Sequence, residues 1–181
     1  MKVLGFIASP RRDGNTEMLI NKALEGAKDK GAETKAYYLD ELNIEPCHAC
    51  GTCGENIDCK INDDGSDLIE EILSADAILF GSPIYYGQMT SQGKLLTDRF
   101  YSISRNPSKD ATGKKAALFF VHSAPTGVYD QYIELTKASP FGHIGLEVTD
   151  VLDVGQVSDP ADVNKLPEIM EQAYNIGQNI I

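Results

Sequence analysis

The chain holds 181 residues, 42% of them hydrophobic, with 27 acidic against 16 basic side chains and a net charge of −11. That length suits one domain with a good core, and the content of Val, Ile, Leu and Phe excludes a disordered chain. So acidic a balance argues against nucleic acid and anionic membrane surfaces as partners, and no apolar run reaches the roughly 18 residues that span a bilayer.

Residues 2–8 read as a short buried strand that the chain enters at once, without a signal-peptide pattern, so the expected location is cytoplasmic. Ser9-Pro10-Arg11-Arg12-Asp13-Gly14-Asn15-Thr16 follows, and residues 16–30 carry a helical stripe of Ile20, Ala23, Leu24 and Ala27 that stops at Gly31. A strand that turns directly into a helix leaves the first helical N–H groups unpaired at the positive end of the dipole, a ready anion site. Two arginines and three hydroxyl or amide side chains in the turn predict a phosphate loop. An ordinary turn, with Asn15 or Thr16 capping the helix and the arginines solvated, has the same composition.

Residues 33–39 alternate polar and apolar, as a strand near a sheet edge would. The irregular stretch 40–64 contains all four cysteines; Asp63 and Asp64 then favour a helix start over 65–75 by capping and charge. Residues 76–81 and 115–122 are apolar runs of the central parallel type. Between them, 82–90 reads as an irregular loop and 91–103 as a helix. Residues 123–127 form a third loop, a helix follows to about 137, and 146–154 is the last strand. Ser158-Asp159-Pro160 predicts the start of a final helix running to about 179.

Strands alternating with helices imply a parallel sheet covered on both faces, an α/β fold. Five strands and five helices match the doubly wound, flavodoxin-like order 2-1-3-4-5 within one domain over 1–181, with a cysteine-rich insertion at 40–64. In such a sheet the ligand sits beyond the carboxyl ends of the strands, between the first and third. That rule selects three loops: 9–16, 82–90 and 123–127.

Two nucleotide motifs are excluded by counting. No G-x-G-x-x-G follows the first strand, and in Gly87–Lys94 five residues separate Gly87 from Gly93 while Leu95 stands where a P-loop needs Ser or Thr. Gly81-Ser82-Pro83-Ile84-Tyr85-Tyr86-Gly87 instead suits the wall and polar edge of a flat ring, although tyrosines on a loop also serve local packing.

Cys47-His48-Ala49-Cys50-Gly51-Thr52-Cys53, with Cys59 after it, spaces four soft ligands as C-x2-C-x2-C-x5-C. Four thiolates so close suit zinc or an iron–sulfur cluster. Zinc knuckles are usually separated by a dozen or more residues, whereas three cysteines in seven residues are similar to the opening of a ferredoxin run, though that run continues x3-C-P. His48 is an alternative ligand or a solvated loop residue. Gly51 and Gly54 would let the backbone bend round a cluster, and would equally suit any tight loop.

The loop Ser9-Pro10-Arg11…Gly14-Asn15-Thr16, the segment 81–87 and Lys94…Asp98-Arg99 together resemble the NADPH-dependent FMN reductase family, and the cysteine segment resembles its iron–sulfur flavoproteins. The resemblance is strong to about residue 100. It implies that Ser9, Arg11, Asn15 and Thr16 grip the FMN phosphate, that Pro83, Ile84, Tyr85 and Gly87 meet the isoalloxazine ring, and that Ser123 supplies a third contact. Relatives often carry paired glycines there, where this chain has Ser123-Ala124-Pro125-Thr126-Gly127. The resemblance further implies a [4Fe–4S] cluster on Cys47, Cys50, Cys53 and Cys59, NAD(P)H as donor, a small-molecule or small-protein redox partner, and a homo-oligomer (dimer or tetramer) in which a neighbour's cluster serves each flavin.

No catalytic side chain is expected, because flavin hydride transfer needs no protein nucleophile. His122, at the end of the fourth strand, either approaches the flavin or is a packed or loop histidine, and Asp98 and Arg99 are read as an ion pair or dimer contact. Three functions stay open: an FMN oxidoreductase or electron carrier with a cluster, an NAD(P)H:FMN or quinone reductase without one, and a phosphate-ligand binding protein with structural zinc.

Overall fold

Five segments become parallel strands in the computed structural model, which describes residues 1–55 and 57–181. They are β1 (Lys2–Ile7), β2 (Glu33–Tyr38), β3 (Ala77–Tyr85), β5 (Lys115–Val121) and β6 (Glu147–Val154), in spatial order β2-β1-β3-β5-β6. Taken as five parallel strands this is the expected doubly wound, flavodoxin-like order. The difference is a sixth strand, β4 (Gln88–Met89), antiparallel to the end of β3.

That strand corrects the irregular loop expected at 82–90. β3 runs on to Tyr85, and Tyr86 (φ 50°) and Gly87 (φ 82°) turn the chain so that Tyr85 pairs with Gln88. Two successive positive φ angles match the tight hairpin turn whose twist suits paired strands; glycine takes this conformation without strain and tyrosine seldom does.

The helices are α1 (Asn15–Asp29), α2 (Asp64–Ser74), α3 (Ser91–Arg99), α4 (Tyr101–Arg105), α5 (Asp130–Thr136) and α6 (Pro167–Asn179). Among the described residues, no helix is long and apolar enough to cross a membrane. The helix expected over 91–103 is divided at Phe100, whose N–H bonds back three residues to Thr97 and tightens the turn. Phe100 and Ile103 still reach the core. The final helix begins at Pro167, nine positions later than expected from Ser158.

β5 explains its own unbroken apolar run. Leu118 and Phe120 enter the core shared with α2, α3 and α5, while Ala117, Phe119 and Val121 enter the core under α1 and α6. Side chains alternate across a strand, so a sheet covered on both faces needs apolar residues at every position.

On the second face α1 and α6 approach at two glycines. A Cβ on Gly177 would stand 1.8 Å from the Ala23 carbonyl oxygen, and one on Gly26 would stand 2.1 Å from that of Tyr174. Gly177→Ala is therefore expected to destabilise the chain by roughly 1–3 kcal/mol, the cost of overpacking. A denaturant midpoint unchanged from wild type would contradict this packing.

Candidate functional site

The strand register aligns Ile7, Gly81, Phe119 and Leu152, which brings the carboxyl ends of β1, β3, β5 and β6 to one edge. A cavity of about 200 Å3 opens there. Its walls are Ser9, Arg11, Gly14, Asn15 and Thr16 after β1, Pro83, Ile84 and Tyr85 on β3, and Val121 at the end of β5 with His122 and Ser123 after it. Eight of the nine residues expected to hold the ligand therefore share one cavity. The ninth, Gly87, sits in the hairpin turn and does not line it.

The loop after β1 leads directly into α1. Gly14 is the extended residue before α1, and no side chain caps the helix. Asn15 and Thr16 do not cap: the Asn15 amide donates to the Asp159 carbonyl (3.0 Å) and accepts from the Val163 N–H (3.1 Å). The first turn of α1 is thus left for an anion to satisfy. Ser9 Oγ accepts from the Arg11 N–H at 3.2 Å.

The two arginines part company. Arg12 lies 3.5 Å over the Tyr38 ring and pairs with Glu41, whereas Arg11 faces the cavity and donates from Nη1 to the Ser158 carbonyl at 2.9 Å.

A fourth wall was not anticipated from the sequence: Val157, Ser158 and Pro160, after β6. These residues read as a helix start, but Asp162 holds them in a loop by accepting the Ser158 and Asp159 N–H groups. A hydrogen bond from Lys165 first, and then those two N–H groups, hold the Asp162 carboxyl down to about 2.

The third loop is held without paired glycines. His122 Nδ1 donates to the Ala124 carbonyl (3.0 Å), and its Nε2 meets Asp153 Oδ1 at 2.7 Å. The other Asp153 oxygen accepts the Gly127 N–H at 2.9 Å. His122 is buried and edge-on to Tyr129, so it braces the third loop from the cavity wall.

The cysteine segment has its own cavity, of about 20 Å3, lined by Cys47, Cys50, Cys53 and Cys59 together with Arg99 and Tyr101. It shares no lining residue with the first. Ala49 (φ 51°) and Gly51 (φ 76°) turn the chain between the first thiols. All four thiols are free, and among the described residues no three side chains converge as a metal site. A hydrogen bond from Thr52 holds the Cys50 thiol below its ordinary range, whereas burial pushes the Cys53 thiol up.

Asp98 and Arg99, read together as an ion pair or dimer contact, take separate partners: Asp98 pairs with Lys94, and Arg99 with Asp63 (2.8 Å), both of the latter side chains almost wholly buried. Burial pushes the Asp63 carboxyl up, but bonds from Arg99 and from the Glu45 and Ser66 N–H groups outweigh it and leave the carboxyl below its ordinary value. A lowered folded-state value means that stability is complete above the unfolded value and is lost as pH falls through the folded one. The destabilisation caused by Asp63→Asn should therefore be largest at neutral pH and shrink below about pH 4. Denaturant unfolding across pH 3–7 measures this, and a constant difference would contradict it.

A parallel, doubly wound α/β sheet with a cavity beyond the carboxyl ends of its first and third strands places that cavity where proteins of this class hold their ligands. Residues 1–138 match the model of the NADPH-dependent FMN reductase family, and the chain belongs to that family. It is similar to an iron-sulfur flavoprotein of Methanocaldococcus jannaschii, with 39% identity over 99 residues that make up 55% of this chain and 51% of the relative. An iron-sulfur flavoprotein of Archaeoglobus fulgidus is 28% identical over 181 residues, 99% of this chain and 79% of the relative. The matched stretch thus spans about half of the first relative's length. Among solved structures, an NAD(P)H:quinone oxidoreductase from Methanothermobacter marburgensis superposes with a TM-score of 0.74 at 18% identity, covering 100% of this chain and 99% of that one, a likeness of fold.

Proposed function

We propose that the chain is an FMN-dependent oxidoreductase that passes electrons between FMN and a [4Fe–4S] cluster carried on Cys47, Cys50, Cys53 and Cys59. The observation that carries the flavin half is the cavity itself, which joins an uncapped helix start and Arg11 at one end to Pro83, Ile84 and Tyr85 at the other. A dianionic phosphate at the first end would take charge-assisted bonds from Arg11, about twice as strong as neutral ones. Ser9, Asn15 and Thr16 line the same end, and Ser123 borders the ring end.

The donor set of the second cavity fits a cluster: four free thiols on one small cavity, with turns at Ala49 and Gly51 that let them wrap a compact group. FMN and a cluster, when bound, supply two-electron acceptance and one-electron release, and the chain supplies position and electrostatics. With that chemistry the donor is NAD(P)H, the partner a small molecule or small redox protein, and the compartment a reducing cytoplasm. Residues 1–181 act as one flavin-binding domain with the cysteine segment inserted. Because the two cavities have no residue in common, assembly into a dimer or tetramer would let one copy's cluster serve another's flavin.

A second reading, an NAD(P)H:quinone reductase without a cluster, draws support from the thiols not converging as a metal site among the described residues. Anaerobic purification with a visible spectrum and iron, sulfide and zinc analysis separates the readings. Flavin with iron and sulfide is the expected result. Flavin without iron after reconstitution would favour the second reading, and colourless zinc-loaded protein would overturn both.

A further inference from the structure

The segment that carries the cysteines leaves the fold and returns to it through a narrow neck. On one strand of the neck stand Asn43 and Glu45, and on the other Asp63 and Asp64. The Asn43 N–H donates to Asp64 Oδ2 and the Glu45 N–H to Asp63 Oδ2, each at 2.7 Å, while the Asp64 N–H returns to the Asn43 carbonyl at 3.2 Å.

Arg99 reaches this neck from α3, outside the segment. Its Nη1 donates to the Glu45 carbonyl at 3.2 Å and to both Asp63 oxygens at 3.0 and 2.8 Å. Its Nη2 donates to Ser66 Oγ at 2.7 Å and to the Ile61 carbonyl and Cys59 Sγ, each at 3.4 Å. Glu45 lies two residues before the first cysteine and Ile61 two residues after the last. One planar fork therefore holds both ends of the segment and one of its thiols. A lysine ammonium, a single point of charge on a flexible stem, cannot span these acceptors together. The fit is close on the far side as well, since a Cβ on Gly65 would stand 2.9 Å from Arg99 Nη1.

We infer that Arg99 is a positioning residue for the metal site, fixing the neck of the cysteine segment and donating an N–H to the sulfur of Cys59. The inference rests on the proposed reading of the four cysteines as cluster ligands. Hydrogen bonds to ligating sulfurs tune the reduction potential of a cluster, and groups that orient ligands govern how firmly metal is held.

The test is Arg99→Lys in the full chain, reconstituted anaerobically, with flavin content as the check on folding because the flavin cavity contains no residue of the neck. The expected result is wild-type flavin content, iron stripped by a chelator at least about tenfold faster, and a cluster midpoint potential moved to lower values by loss of the N–H···S bond. Wild-type stripping and an unmoved potential would overturn it. Should Arg99→Lys lose its flavin, Ser66→Ala removes one of the fork's acceptors and keeps the ion pair and the Cys59 bond; faster stripping at an unmoved potential is then expected, and wild-type stripping would overturn the inference.

If the wild-type protein takes up no iron, the cluster reading has failed, and the inference is then read on the bare thiols by mass spectrometry of iodoacetamide labelling. Faster labelling of Cys59 in Arg99→Lys, with Cys50 unchanged, supports the clamp, and equal rates at both cysteines in the two proteins overturn it.

Discussion

Replacing Cys47, Cys50, Cys53 and Cys59 together by serine is expected to abolish iron and sulfide uptake while leaving FMN affinity at the wild-type value. The first half follows from ligand chemistry, because a hydroxyl is a poor, hard substitute for a soft thiolate around iron or zinc. The second half follows from the geometry. The thiols line a cavity of their own, bounded by Arg99 and Tyr101, and the cavity proposed for FMN is made by the ends of β1, β3 and β5 with the loop after β6. The neck made by Asn43, Glu45, Asp63 and Asp64 uses no cysteine, so α2 should keep its start when the thiols are gone. Iron and sulfide analysis beside a flavin titration measures both halves. Loss of flavin with the cysteines would mean that the two centres are one folding unit.

Arg11→Ala is expected to weaken FMN binding by about 10- to 100-fold, from the roughly 1.5–3 kcal/mol carried by hydrogen bonds to a charged group. Arg12→Ala should change it little, since surface substitutions away from a site stay within about 0.5 kcal/mol. The contrast is informative because the two neighbours are chemically identical and differ in direction alone. Arg12 is spent on Tyr38 and Glu41, while Arg11 lies along the cavity and rests on the Ser158 carbonyl. A phosphate at the start of α1 would offer Arg11 a charged acceptor in place of that neutral one. Fluorescence titration of the apoprotein measures both variants, and a reversed order would move the phosphate to the other side of the loop.

The sequence revealed features set by local backbone need. The turn from β1 into α1 was legible because its residues and the following helix stand together, and the parallel sheet was legible because its central strands, buried on both faces, are apolar throughout. The hairpin at the end of β3 was not legible, because Tyr86 takes a positive φ that its side chain does not advertise and Gly87 alone reads as any loop glycine. The cavity wall at Val157, Ser158 and Pro160 was not legible either. It is fixed by bonds from Arg11 and Asn15 to residues 147 and 144 positions away, and proline beside acidic residues reads locally as a helix start. Arg99 was recognisable as one half of an ion pair, but its partner Asp63 lies 36 positions back, across the cysteine segment. Distance along the chain hid the last two features, and a local backbone angle hid the hairpin.

The measurement that tests the account most directly is an anaerobic reductive titration of the reconstituted protein, followed by visible and electron paramagnetic resonance spectra. FMN accepts two electrons and a [4Fe–4S] centre one, so the account predicts uptake of about three electrons per chain, with flavin bleaching and a reduced-cluster signal in the same titration. Uptake of about two electrons per chain, with flavin bleaching and no cluster signal, would contradict it.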